Sequence, residues 1–110
     1  MINIYIDAKE TNRDGIFLIG FISECNKYKA YKYMEARGSF QAELEAIKYA
    51  IDSMKTMKDI TEFHSDSEPA IEKYMSEKEF PQRFINDCQE PVLKHIPRNL
   101  NIANMYLRSI

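Results

Sequence analysis

A chain of 110 residues with 45 % hydrophobic and 29 % charged residues has the composition of one folded globular domain, which excludes collagen-like and disordered classes. The net charge of −2 also excludes the broad positive field that gives tight, sequence-independent binding to nucleic acids. We therefore predict a single domain over residues 1–110, in which any nucleic-acid partner is held locally or through metal ions.

The cysteines and the N-terminus bear on the compartment of the protein. Cys25 and Cys88 are far apart and form no CxxC motif, so reduced thiols are the better prediction. The N-terminus has no basic region before an apolar stretch, and the longest uncharged run, residues 15–23, is too short to span a membrane. These features predict a cytoplasmic protein with no membrane role.

Three runs in the first third of the chain predict an antiparallel meander. In residues 2–7, isoleucines alternate with polar and aromatic residues, a strand pattern that ends at Asp7. The polar segment 8–15 ends in Asp-Gly, a turn signal, and the apolar run 16–23 is typical of a buried strand. Residues 28–33 alternate lysines with tyrosines, which is typical of an exposed edge strand.

A helix follows the Gly-Ser pair at 38–39. Apolar residues recur at helical spacing from Phe40 to Met54, and Ser39 is the predicted N-cap. Glu43 lies three residues after Phe40, so it is predicted to face the core from the first turn. A carboxylate on the buried face of a helix needs a specific reason.

Strands and helices alternate in the second half of the chain. Residues 59–66 are predicted to form a fourth strand that ends at Asp66. Ser67 precedes Glu68 and Pro69, both of which favour the first turn of a second helix. The remaining predicted elements are a short helix over 80–90, a strand over 92–96 and a helix over 99–110.

This order of elements predicts an α/β fold with a five-stranded mixed sheet and helices on both faces. The first three strands form the antiparallel meander, and the fourth and fifth run parallel to the first. Asp7 and Asp66 then lie at the same end of the sheet, where their strands end, and the helix that carries Glu43 also begins there. Each acid alone is compatible with a turn, a helix dipole or a cap, but three acids at one edge favour a metal site.

Carboxylate oxygens are suited to Mg²⁺ or Mn²⁺. Two such ions can activate a water molecule and stabilise the leaving oxygen of a phosphodiester. The residues thus point to metal-assisted hydrolysis.

Four short motifs, in this order, resemble the ribonuclease H superfamily. They are Tyr-Ile-Asp at 5–7, Gln-Ala-Glu-Leu-Glu-Ala at 41–46, His-Ser-Asp-Ser at 64–67, and His-Ile-Pro-Arg at 95–98 followed by Asn101 and Ala103. The resemblance covers the whole chain. It implies a ribonuclease H-like fold and a metal-dependent endonuclease that hydrolyses RNA in RNA/DNA hybrids.

The resemblance also implies roles for individual residues. Asp7, Glu43 and Asp66 correspond to the catalytic metal ligands, and His95 to a mobile histidine that assists proton transfer or product release. Residues that would contact the nucleic acid are Lys9, Asn12, Arg13, Ser67 and Arg98.

The chain departs from the family pattern in the last helix. Active members carry a fourth aspartate there, and its position falls on Asn104 with a one-residue deletion or on Met105 without one. Asn104 can offer only a neutral carbonyl oxygen as a catalytic ligand. The glycine-rich first loop is absent, and the segment between Asp66 and His95 is too short for a basic protrusion. These departures predict a weakly held hybrid, and they keep open the alternative of a non-catalytic module that binds nucleic acid or protein.

Two further features have structural interpretations. His64, two residues before Asp66, is predicted to be a buried, hydrogen-bonded histidine rather than a metal ligand. Tyr28, Tyr31 and Tyr33 are predicted to pack against the protein rather than to stack on bases.

Overall fold

The computed structural model of the chain describes residues 2–55, 60–77 and 92–110, and in these ranges five strands form one mixed sheet of order β3-β2-β1-β4-β5. The β1–β2 and β2–β3 pairs are antiparallel, whereas the β1–β4 and β4–β5 pairs are parallel. The predicted mixed sheet is therefore confirmed. The strands are β1 (Ile2–Glu10), β2 (Ile16–Ser23), β3 (Lys29–Glu35), β4 (Ile60–Ser65) and β5 (Val92–His95).

Three α-helices accompany the sheet in the described ranges. They are α1 (Ser39–Ser53), α2 (Glu68–Glu77) and α3 (Ile102–Arg108), the last preceded by a 3-10 turn at Arg98–Leu100. No helix in these ranges is long and apolar enough to cross a membrane. The helix predicted over 80–90 lies outside the described residues, as does Cys88.

The main core fills the space between α1 and one face of the sheet. The buried side of α1 carries alanines at 42, 46 and 50, which allow the helix axis to approach the strands closely, with Ile47 and Ile51 filling the remaining space. Phe40 is 47 % exposed because it lines an open cleft with Arg37 in the first turn, so its predicted place on the buried stripe was wrong.

The third helix lies on the opposite face. Ile19 and Phe21 belong to the α1 core, so Gly20 between them points to the other side of β2. A Cβ atom on Gly20 would lie 2.7 Å from the carbonyl oxygen of Ala30 and 2.9 Å from Leu107 of α3. The glycine therefore permits the close packing of α3 and places helices on both faces, as predicted.

The predicted end of the first strand needed correction. The first strand continues past Asp7 to Glu10, because residues 8–10 pair with residues 17–19 of β2. Lys9 thus belongs to a strand rather than to the polar loop. The loop is shorter and turns at Gly15, whose φ of 79° suits glycine.

The start of α1 also differs from the prediction. Gly38 rather than Ser39 occupies the N-cap position, and no side chain caps the helix there. Instead, the Gln41 side chain accepts a hydrogen bond of 2.8 Å from the backbone N–H of Arg37. This contact holds the loop that precedes α1 against the first turn of the helix.

Candidate metal centre

Three acids lie close together at the end of the sheet that contains the C-terminal end of β4. Asp7 lies in β1, Asp66 directly follows β4, and Glu43 projects from α1. One carboxylate oxygen of each residue lies within 4.8 Å of those of the other two. The strand directions explain this meeting, because β1 and β4 are parallel neighbours. The role of these acids as metal ligands remains a prediction.

Glu43 reaches the cluster from the second turn of α1, because Ser39 is already the first helical residue. The prediction that it lies in the first turn was wrong. A stabilising interaction with the helix dipole is confined to the first turn, so it does not explain this acid. The Glu43 Oε1 atom accepts a hydrogen bond of 3.2 Å from the backbone N–H of Ala8. That bond fixes the carboxylate beside Asp7.

Two oxygens of the cluster are buried and unpaired. Asp7 is 2 % exposed, and neither its Oδ2 atom nor the Oε2 atom of Glu43 has a hydrogen-bond partner among the described residues. Buried carboxylate oxygens without donors are costly, since nothing replaces the water that they lose. A cation between them would remove that cost, so the residues present fit a metal ion.

The electrostatics of the cluster agree with its geometry. Burial, followed by the neighbouring carboxylates of Asp7 and Asp66, raises the pKa of Glu43 to about 9. Burial and then the charge of Asp66 raise the pKa of Asp7 to about 6, against smaller opposing effects of the Ala8 N–H, the Glu43 carboxyl and, last, the Arg98 guanidinium. With a pKa of about 9, the Glu43 carboxyl holds a proton at neutral pH in the metal-free site, and a divalent cation would favour the ionised form of all three carboxylates.

The ligand atoms also indicate which metal suits the site. All members of the cluster offer oxygen, which suits Mg²⁺ or Mn²⁺ better than zinc or copper.

Asn101 is a component of the site that the sequence analysis did not assign. It is 2 % exposed, and its amide donates hydrogen bonds of 2.8 Å to the carbonyl of Ile6 and 3.1 Å to Oδ2 of Asp66. Its Oδ1 atom accepts from the N–H of Ala103 and so caps α3. One side chain thus joins β1, Asp66 and the last helix. The helix predicted over 99–110 placed Asn101 inside it, whereas the helix begins at Ile102, so none of the three contacts was predicted.

The remaining residues with predicted catalytic roles are His95 in β5 and Asn104 in α3. His95 is the exposed last residue of β5 and is paired in register with Ser65, which precedes Asp66. Asn104 is half-buried in the first turn of α3 and makes no side-chain hydrogen bond to another described residue. Met105 is 72 % exposed.

The predicted nucleic-acid contacts are dispersed around the acids. Lys9 lies on the same face of β1 as Asp7, about 7 Å further along the strand. Asn12 and Arg13 are exposed in the β1–β2 turn, and Arg98 is exposed in the 3-10 turn.

Ser67 has a contact within the protein itself. Its Oγ atom lies 3.4 Å from the N–H of Ala70, at the start of α2. This bond gives Ser67 a capping role, whether or not it also touches a ligand.

A further arginine, not assigned from the sequence, lies near the start of α1. Arg37 and Arg13 line a cavity of about 210 Å³ between the β1–β2 turn and the β3–α1 loop. Glu10 and Asp14 line the same cavity, so its charge is mixed.

His64 is buried, as predicted, but its hydrogen bonding differs. Its ring stacks on Tyr5, the residue opposite it in β1, with 4.8 Å between the ring centroids. The Nε2 atom lies 3.2 Å from Glu62 without hydrogen-bond geometry, and Nδ1 has no partner in the described ranges. Burial lowers the pKa of His64, so the ring is neutral at pH 7 and acts as a packing group.

The sheet order, the strand directions and the helices on both faces define a ribonuclease H-like fold. Solved structures share it. The structure of LC11 ribonuclease H1 in complex with an RNA/DNA hybrid matches with a TM-score of 0.67 and 22 % identity, over 97 % of this chain and 93 % of that one.

Two further structures match over similar lengths. One is LC11 ribonuclease H1, isolated from compost by a metagenomic approach, with a TM-score of 0.65 and 22 % identity over 96 % and 91 % of the two chains. The other is ribonuclease H1 from the halophilic archaeon Halobacterium salinarum NRC-1, with a TM-score of 0.66 and 17 % identity over 99 % and 98 %. No family model and no curated protein matches the sequence, and these identities establish the fold alone.

Proposed function

We propose that this chain is a metal-dependent nuclease that hydrolyses the RNA strand of RNA/DNA hybrids. The observation that carries the proposal is the cluster of Asp7, Glu43 and Asp66, in which two buried oxygens have no donor among the described residues. The ribonuclease H-like fold supports the same activity, since one structure that shares it was solved with an RNA/DNA hybrid.

Each residue of the cluster has a distinct task. Asp7 and Glu43 supply the buried oxygens that would hold Mg²⁺ or Mn²⁺, and Asp66 supplies a more accessible one. When bound, the cation supplies positive charge for a phosphodiester and lowers the pKa of water. Asn101 fixes the orientation of Asp66, in the way that hydrogen bonds behind metal ligands usually do.

The substrate would be held weakly. Lys9, Arg13 and Arg98 lie around the acids and can reach phosphate oxygens, while the net charge of the chain is −2. Binding of the hybrid is therefore expected to depend on the divalent ion and to weaken steeply with added salt.

His95 is proposed as an auxiliary group. It lies at the exposed end of β5, next to the strand that ends at Asp66. A histidine there can accept or deliver a proton during hydrolysis or product release, for which losses of about 100-fold on substitution are usual. We expect His95→Ala to reduce the rate while leaving metal affinity unchanged.

A second function is favoured by Asn104. This neutral residue stands where the resemblance places a fourth carboxylate, so a second cation would be bound less tightly. The alternative function is therefore that of a non-catalytic module that binds nucleic acid or protein and retains the fold and part of the acidic cluster.

Cleavage of a labelled RNA/DNA hybrid distinguishes the two functions. The wild-type protein is assayed in Mg²⁺ and in Mn²⁺ beside Asp66→Asn, with the exposed helical acid variant Asp52→Asn as the matched control. A nuclease cleaves the RNA strand only with metal, loses at least about 100-fold of its rate in Asp66→Asn, and keeps its rate in Asp52→Asn. Metal-dependent activity no higher in the wild type than in Asp66→Asn would establish the non-catalytic module instead.

A further inference from the structure

The edge strand β3 exposes half of its backbone hydrogen-bonding groups. The N–H of Ser23 donates to Tyr28, and the N–H of Ala36 donates to Gly15, so even-numbered residues of β3 point their polar groups toward β2. The odd-numbered residues therefore point theirs away from the sheet. These residues are Lys29, Tyr31, Tyr33 and Glu35.

The side chains of the same four residues share one face. Tyr31 and Tyr33 are 45 % and 57 % exposed, and their rings meet edge to face with 6.3 Å between centroids. Tyr106 of α3 extends the row, 6.4 Å from Tyr31. Of the three tyrosines predicted to be packing residues, only Tyr28 packs against the core. The others form an apolar strip beside an open strand edge.

We propose that β3 pairs antiparallel with β3 of a second copy of this chain, about a two-fold axis at Lys32. In this register Lys29 lies opposite Glu35 of the second copy, and Tyr31 lies opposite Tyr33. All outward backbone groups of the four odd-numbered residues become paired, and the two sheets join into one of ten strands.

Charge and aromatic complementarity select this register. Each Lys29–Glu35 pair and each Tyr31–Tyr33 pair occurs twice, once on either side of the axis, and both kinds of cross-strand pair are stabilising. A shift of two residues in either direction places Tyr31 opposite Tyr31 or Tyr33 opposite Tyr33. In both cases Lys29 no longer lies opposite Glu35 of the second copy. The centred register is thus the one that satisfies both ends.

The axis itself brings two lysines together. Lys32 faces Lys32 of the second copy, but its ammonium lies 4.8 Å from the ring centroid of Tyr49 in its own copy. This contact holds each charge over its own α1 helix. The lysine pair lowers affinity without blocking the backbone ladder.

The dimer is expected to be weak and to leave the acids free. One strand per copy takes part, so the interface falls below about 1,200 Å², the size of weak and transient complexes. The sheet order places β2 between β3 and the Asp7 strand. Dimerisation is therefore independent of the proposed nuclease activity.

Sedimentation equilibrium over about 2–500 μM protein tests the proposal. We expect a monomer–dimer equilibrium, an approximately tenfold weaker one in Lys29→Glu, and recovery to within about threefold in the doubly substituted Lys29→Glu, Glu35→Lys. A monomer at every concentration, or a dimer that ignores both substitutions, overturns the proposal.

Cross-linking tests the register. In a Cys25→Ser, Cys88→Ser background, Lys32→Cys places two cysteines at the axis. Their Cα atoms would lie about 4.5 Å apart, within the range of a disulfide. The matched control Glu35→Cys places them about 20 Å apart. Rapid dimer formation on mild oxidation in the first variant but not in the second supports the register, whereas equal rates contradict it.

Single-stranded nucleic acid is the competing occupant of the tyrosine strip. Fluorescence anisotropy with labelled single-stranded RNA and DNA, on the wild type and on Tyr33→Ser, addresses it. If the chain is monomeric and oligonucleotide binding falls in Tyr33→Ser, the strip stacks bases and the dimer is overturned. If the chain is dimeric and Tyr33→Ser affects only dimerisation, the proposal stands.

Discussion

Asp7 of β1 and Glu43 of α1 lie side by side, and each has one buried carboxylate oxygen without a hydrogen-bond partner among the described residues. An apolar pair at these positions would pack without this cost, so the arrangement reduces the stability of the metal-free protein. Its electrostatic consequences can be measured apart from any catalysis.

The first prediction concerns the metal-free protein and pH. The folded-state pKa of Asp7, about 6, lies above its ordinary value of 3.8, so ionisation favours the unfolded state once the pH exceeds 3.8. The penalty grows up to about pH 6 and persists above it. In EDTA at pH 8, the free energy of unfolding of Asp7→Asn should therefore exceed that of the wild type by about 1–2 kcal/mol. The variant should accordingly unfold at a higher temperature.

Two comparisons define that experiment. The gain in Asp7→Asn should disappear as the pH falls toward 4, where the wild-type carboxyl is protonated in both states. Asp14→Asn removes an exposed acid from the β1–β2 turn and should leave the melting temperature unchanged. A lower melting temperature for Asp7→Asn at pH 8 would contradict the electrostatic account.

The second prediction concerns metal binding. Titration with Mn²⁺, followed by calorimetry or by the paramagnetic resonance of the free ion, should give at least about tenfold weaker binding for Glu43→Gln than for the wild type. Glu45→Gln is the control on the same helix, since Glu45 pairs with Lys48 outside the cluster. Equal affinities in all three proteins would remove Glu43 from the ligand set.

The third prediction concerns Asn101, which makes three hydrogen bonds. Asn101→Ala should lower the free energy of unfolding by about 2–4 kcal/mol and weaken Mn²⁺ binding about tenfold. Asn101→Ser retains an oxygen that can cap α3, so it should recover part of the stability but not the affinity. The exposed Asn99→Ala should change neither quantity. Unaltered metal binding in Asn101→Ser would show that Asp66 needs no support from the amide.

The fourth prediction concerns the packing of α3. Gly20→Ala introduces a Cβ atom too close to Ala30 and Leu107, and it should cost about 1–3 kcal/mol in urea unfolding. Gly38→Ala is the matched control, because its φ of 179° suits any residue and no atom lies within 4 Å of the added carbon. Similar stabilities of the two variants would mean that α3 can move away from the sheet without loss.

Much of the architecture was predictable because it follows from local patterns and strand directions. Alternation predicted β1, an apolar run predicted β2, and the right-handed connection through α1 required β4 to run parallel to β1. Once those directions were fixed, Asp7 and Asp66 had to lie at the same end of the sheet. The sequence therefore predicted which acids would meet.

The details that could not be predicted depend on contacts that are distant in sequence. Polar residues 8–10 form strand because β2 pairs with them, which alternation in the first strand alone does not indicate. Phe40 is exposed because the first turn of α1 lines a cleft, although its helical position matches that of buried Ile47. Asn101 fell inside the helix predicted over 99–110, and its contacts with Ile6 and Asp66 depend on residues far away in the sequence.

The amide of Asn101 joins residues that are 95 positions apart, since its partner Ile6 lies in the first strand. During synthesis, Asp7, Glu43 and Asp66 all leave the ribosome before this anchor does. A nascent or C-terminally shortened chain thus carries all three acids without the group that orients Asp66. High metal affinity should accordingly require that α3 is docked, in addition to a formed sheet.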